Sequence, residues 1–99
     1  MRCRLIIRPE AESDLAEAFE WYEQRRPGLG ESLLLSVEAT LVAIQETPSL
    51  FPEVHRNIRR ALTRRFPFGV FYVVEGEAVV VIALFHASRD PKGWQNRGP

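Results

Sequence analysis

Two clusters of side chains in this 99-residue chain are of types that handle anions. The first follows the apolar run Val79 to Phe85 and contains His86, Arg89, Asp90, Lys92 and Trp94; the second is Arg56, Arg59, Arg60, Arg64 and Arg65. Histidine exchanges a proton near neutral pH, and arginine grips phosphate or carboxylate oxygens through paired hydrogen bonds. Metal-free cleavage of RNA needs a 2′-hydroxyl activated, a charged phosphorane stabilised and a leaving oxygen protonated. Arg65, His86 and Arg89 are the residues among which those roles would divide. The same types also suit plain binding, because interfaces concentrate energy in arginine and tryptophan. A structural alternative stands beside both: His86 caps the sheet edge, and Arg89 pairs with Asp90 or an acidic helix residue. Tyr72 shares a face with Phe68 and Val70, which assigns it to the core.

The elements that must position these groups can be read from periodicity. Phe68, Val70, Tyr72 and Val74 alternate with Gly69, Phe71, Val73 and Glu75, and Glu75-Gly76-Glu77 then turns the chain into Val79 to Phe85. The returning strand is apolar on both faces, so it is expected inside the sheet with helices on at least one side. Residues 2 to 8 read as a strand closed by Pro9. Ala11, Leu15, Ala18, Phe19 and Tyr22 then recur at helical spacing against Glu12, Asp14, Glu17, Glu20 and Glu23. Trp21 lies off that stripe, either packed at its edge or marking a contact surface. Arg25-Arg26-Pro27-Gly28 breaks this helix, and Leu29, Leu33, Val37, Leu41 and Ile44 define a longer one ending before Pro48.

Residues 47 to 57, with two prolines near Phe51, read as an irregular connection, and residues 58 to 65 as a strand. Arginines on both of its faces assign that strand to a sheet edge. The expected fold is α+β, in the order β-α-α-β-β-β. Two antiparallel helices, residues 10 to 25 and 28 to 46, pack on one face of a mainly antiparallel four-stranded sheet made from residues 2 to 8, 58 to 65, 68 to 75 and 78 to 86. The other face is expected to be partly open.

Composition narrows the class. One domain of this length with 45% hydrophobic residues can build a single core. The lone Cys3 makes no internal disulfide, and the two histidines are far apart, so neither a metal nor another cofactor is expected. The first residues hold no apolar segment of signal-peptide or membrane-spanning length, which together with the single thiol leads to an expected cytoplasmic location. The formal net charge of +0 conceals segregation: residues 10 to 46 carry nine acidic groups against two arginines, whereas residues 47 to 65 carry five arginines against Glu53. That arginine-rich segment favours an acidic partner.

Arg64 through Tyr72, the strand Val79 to Phe85, and His86 followed by Arg89-Asp90-Pro91 and Trp94 together resemble the RelE/ParE superfamily of bacterial toxins. Pro9-Glu10-Ala11, Asp14-Leu15, Ala18, Trp21-Tyr22 and the long second helix extend the resemblance over almost the whole chain. It implies a type II toxin bound and silenced by a cognate antitoxin, with operator DNA contacted mainly through that antitoxin. The Phe-Pro-Phe strand opening and the His-x-x-Arg-Asp-Pro-x-x-Trp ending are similar to the ParE branch, which implies inhibition of DNA gyrase. The RelE branch would instead imply cleavage of messenger RNA on the ribosome, and a binding module without toxicity is the third possibility. Arg59, Arg60, Arg64 and Arg65 are expected to meet antitoxin carboxylates; His86, Arg89, Lys92 and Trp94 are expected to contact a partner and, with Asp90, to determine toxicity.

Overall fold

The period of two in Phe68 to Val73 sends alternate side chains to opposite faces of a strand. In the computed structural model, which describes residues 3–98, that strand is β4 (Phe68–Glu75), the middle of a five-stranded sheet. It pairs antiparallel with β5 (Ala78–His86), from Phe68 opposite His86 to Glu75 opposite Ala78. On its other side lies β3 (Ile58–Leu62), also antiparallel, with β2 (Glu53–His55) beyond it. β1 (Arg4–Ile7) runs parallel to β5 at the opposite edge. Residue 2 of the expected first strand lies outside the described residues.

Helices α1 (Pro9–Arg25) and α2 (Leu29–Glu46) cover one face of this sheet. Leu33, Val37 and Ile44 of α2, with Ala11 and Ala18 of α1, pack on Val70, Tyr72, Val79, Val81 and Leu84. Pro9 both ends β1 and starts α1, since the first helical position needs no amide proton. The helices meet closely at their junction: a Cβ on Gly30 would lie 2.8 Å from the Phe19 carbonyl oxygen. Glu23 accepts hydrogen bonds there from the backbone N–H groups of Gly28 and Gly30, placing a carboxylate at the positive end of α2.

The α+β class and the helix pair agree with the sequence reading; the sheet differs in three respects. First, β2 adds a fifth strand where an irregular connection was expected. Arg56 and Asn57 both take positive φ, 36° and 68°, and join β2 to β3 in a two-residue turn. An Arg-Asn pair lacks the usual glycine signal of such turns. Second, β2 covers β3, so the arginine-bearing strand is interior to the sheet. It ends at Leu62, and Arg64 and Arg65 stand in the following turn, with Arg65 at φ 72°.

Third, the face expected to be open is closed by the C-terminal segment. Trp94, on the short helix α3 (Lys92–Gln95), stacks on Phe71 with ring centroids 4.2 Å apart and joins Ile58, Val73, Val80, Ile82 and Phe85 in a second cluster. A bulge serves this face. Phe71 is opposite Ala83 and Tyr72 opposite Val81, which leaves Ile82 as the extra residue and turns both Ile82 and Ala83 toward Trp94.

Beyond Ile7, β5 has no strand on its outer side, and a charged pair takes over the backbone bonding. Asp14 of α1 accepts from the Leu84 N–H at 3.0 Å, and Arg97 donates to the Ile82 carbonyl at 3.0 Å. Arg97 also donates to Asp14 at 2.6 and 3.3 Å. The pair thus ties α1, β5 and the C-terminal segment together.

Tyr72, fully buried, donates its hydroxyl to the Pro48 carbonyl and is pushed up from 10.0 to about 12, because burial penalises the phenolate more than nearby Arg59 favours it. The unfolded chain therefore releases this proton first as pH rises. The stability contribution is complete below pH 10 and is lost through about pH 12, at about 1.4 kcal/mol per unit between them. Denaturant midpoints measured across this range should fall in the wild type and lose most of that slope in Tyr72→Phe.

Candidate functional site

The arginines of the 56–65 segment do not form one surface. Arg59 and Arg60 are neighbours on β3, so their side chains leave on opposite faces. Arg59 shares the helix side with Ala61, and its guanidinium donates to the Phe51 carbonyl at 2.6 Å and the Ser49 carbonyl at 3.3 Å. It closes the loop before β2. Arg60 lies on the opposite face against Gly69 and Phe71. Arg64 and Arg65, both exposed, border a third region.

That region is a groove of about 560 Å³ between α2 and the end of β3. Ala39 and Ala43 form part of its wall, Leu35 and Leu62 stand 60% and 61% exposed along it, and Arg64 and Arg65 flank one end. The Ser36 hydroxyl donates to the Arg64 carbonyl at 2.6 Å and pins the arginine turn to the helix. Leu35 and Leu62 are large apolar side chains left facing solvent on adjoining elements, with cations beside them. This arrangement accepts an extended or helical segment carrying apolar residues and carboxylates. Leu35 adjoins the apolar stripe of α2, where helical spacing alone would assign it to the core.

The C-terminal cluster is ordered by local bonds. Nδ1 of His86 accepts the Ser88 backbone N–H at 3.0 Å and lies 2.8 Å from the Ser88 hydroxyl, while its ring meets Phe68 edge to face. With Nδ1 accepting, the neutral ring carries its proton on Nε2. Asp90 accepts the Lys92 N–H at 3.0 Å, which shapes the turn. Arg89 pairs with neither Asp90 nor a helix carboxylate; its guanidinium lies over the Phe85 ring, 4.1 Å from the centroid. Lys92 is exposed. Trp94 is only 7% exposed, which corrects its reading as a contact anchor: the ring is spent on the second core.

Arg65 is also separated from His86 and Arg89. His86 and Arg89 line a cleft that contains Arg60, whereas Arg65 lines the α2 groove. The trio suggested for RNA cleavage is therefore not assembled. On α1, Trp21 is 52% exposed, with the Arg25 guanidinium stacked 3.7 Å from its centroid and its edge against Tyr22. Among the described residues no group of three or more His, Cys, Asp and Glu side chains could hold a metal ion, and no helix is long and apolar enough to cross a membrane.

Comparison with known proteins decides the family. Residues 5–91 match the family described as the ParE toxin of the type II toxin-antitoxin system parDE. The chain belongs to the ParE toxin family. Toxin ParE2 of Mycobacterium tuberculosis, from strains CDC 1551 and H37Rv, is 30% identical over 92 residues, covering 92% of this chain and 88% of the relative. A solved structure described as the chromosomal ParDE TA system from P. aeruginosa superposes with a TM-score of 0.78 at 15% identity. It covers 88% of this chain and 98% of that one, and so shares the fold. The ParE-type match spans the helix pair, all five strands and the His86 turn, ending just before α3.

Proposed function

We propose that this ParE-type toxin inhibits DNA gyrase and is neutralised by a cognate antitoxin that docks in the α2 groove. Membership of the ParE family supports the toxin role and implies the antitoxin partner. The separation of Arg65 from His86 and Arg89 speaks against RNA cleavage by that trio, whose groups would have to converge on one phosphate. Exposed Arg89 and Lys92, beside His86, remain the candidate contacts with the target.

The test is a paired assay on the purified toxin, with supercoiling and cleavage of plasmid DNA by gyrase beside cleavage of messenger RNA on programmed ribosomes. Loss of supercoiling with accumulation of cleaved plasmid is expected. Ribosome-dependent cuts that vanish in Arg89→Gln, with supercoiling untouched, would sink this reading. Absence of both effects, and of any growth defect on expression without antitoxin, would leave an antitoxin-binding module.

The docking site has its own test. Reversing charge at Arg64 and Arg65 together should weaken antitoxin binding by about ten- to a hundredfold, mostly as faster dissociation and lost salt dependence, with the thermal midpoint unchanged. Calorimetric titration of the wild type and this double variant against the cognate antitoxin measures it, and unchanged affinity would remove the antitoxin from this groove.

A further inference from the structure

Arg60 is held unlike any other arginine among the described residues. Its stem lies flat across β4 over Gly69: a Cβ at that glycine would come within 3.0 Å of the Arg60 Cγ, 3.1 Å of its Cδ and 3.2 Å of the Phe71 ring. Gly69 sits in a regular strand, so its function here is room, not backbone freedom. Laid down in this way, Arg60 has its Nε buried with no hydrogen-bond partner among the described residues. Native structures seldom leave a buried donor unpaired without a ligand or ion to explain it.

The charged side chains of the surrounding wall are cations set among apolar residues. Arg60 lines a cleft of about 200 Å³ whose other walls include Leu62, Gly69, Phe71, Phe85 and Arg89, and among the described residues no carboxylate borders it. Arg89 has its guanidinium plane set by stacking on Phe85, which leaves its N–H edges for another partner. His86 borders the cleft, but its ring packs edge to face on Phe68 and so lies toward the helix side of the sheet. Of the nearby acids, Asp90 accepts the Lys92 N–H and Asp14 is held by Arg97 and the Leu84 N–H, while Glu17 lies on the helix side of the His86 turn. Two arginines of fixed orientation, lining one small cleft, suit a group with several charged oxygens pointing in different directions. A single planar carboxylate satisfies one guanidinium; a tetrahedral phosphate satisfies two.

We propose that the cleft between β3, β4 and the turn after β5 binds a phosphate group, clamped by Arg60 and Arg89. The proposal concerns binding alone and does not rest on gyrase as the target. It assigns Gly69 a positioning role, since alanine there would lift Arg60 off the sheet. The site lies on the sheet face opposite α1 and α2.

The experiment uses the intact chain labelled with ¹⁵N, titrated with inorganic pyrophosphate, with a mononucleotide, and with a short single-stranded oligonucleotide, while the arginine Nε–H resonances are followed. Pyrophosphate is expected to shift the Arg60 and Arg89 signals and leave those of Arg64 and Arg65 in place. Arg60→Gln and Arg89→Gln should each weaken binding by at least about tenfold, whereas Arg64→Gln should not. Comparable affinity for pyrophosphate and mononucleotide identifies a free phosphate ligand; a strong preference for the oligonucleotide identifies the nucleic-acid backbone. Either result supports the site. Absence of Arg60 shifts in the wild type with all three probes, or equal shifts with succinate, overturns it even if a variant fails to fold.

Discussion

Trp94→Ala is expected to destabilise the domain by about 3 to 5 kcal/mol, as a buried aromatic truncated to alanine does. The ring is 7% exposed and lies nearly parallel to Phe71, at 19°. It is the C-terminal segment's large apolar contribution to the cluster that covers Ile58, Val73, Val80, Ile82 and Phe85. A four-residue helix cannot hold itself in place, so the segment depends on this contact. Its glycines confirm the closeness of fit: a Cβ on Gly93 would lie 2.6 Å from the Phe85 ring, and one on Gly98 2.6 Å from Ile58. Truncation after Phe85 removes this contact and should give an insoluble or unfolded product. Urea denaturation followed by far-ultraviolet dichroism measures the point variant, and a loss under about 1 kcal/mol would contradict the closing role of Trp94.

Asp14→Ala should cost about 3 kcal/mol, near the lower end for breaking a buried pair because Arg97 retains 24% side-chain exposure. The change strands two groups at once: the Leu84 N–H loses its acceptor, and Arg97 loses its counter-charge beside the β5 backbone. Arg97→Ala should cost less, because Asp14 keeps the Leu84 bond. In a double-mutant cycle the two losses should be clearly non-additive, by at least about 0.5 kcal/mol. Additive losses in denaturant titrations would show that the two side chains act independently. Since Arg97 belongs to the same segment as Trp94, both variants should also loosen the tail, read as faster amide exchange in residues 92 to 98.

Much of the scaffold is legible locally. The hairpin of β4 and β5 matches its expected boundaries, 68 to 75 and 78 to 86, because alternation and a glycine turn are properties of adjacent residues. The helices likewise follow their stripes and the Pro27-Gly28 break, ending within a residue of expectation. The family resemblance rests on the same strand and turn residues, and residues 5–91 bear it out.

What sequence order could not convey is which side chains meet. Arg59 and Arg60 are adjacent in the chain, but the pleat of β3 sends one to the loop carbonyls at Ser49 and Phe51 and the other to Gly69, while the end of the strand at Leu62 sets Arg64 and Arg65 beside α2. One basic segment thus becomes a structural brace, a cleft wall and a groove edge. Trp94 reads as an exposed anchor because nothing near it in sequence is apolar enough to bury it; its partner Phe71 comes from another strand. Asp14 and Arg97 are 83 residues apart, and periodicity assigns Asp14 to a solvated helix face. Local sequence determined the strands, helices and turns through short-range backbone preferences. Only the tertiary structure decided the cation sites and the second core, because those depend on long-range packing that places charge and apolar surface from distant segments side by side.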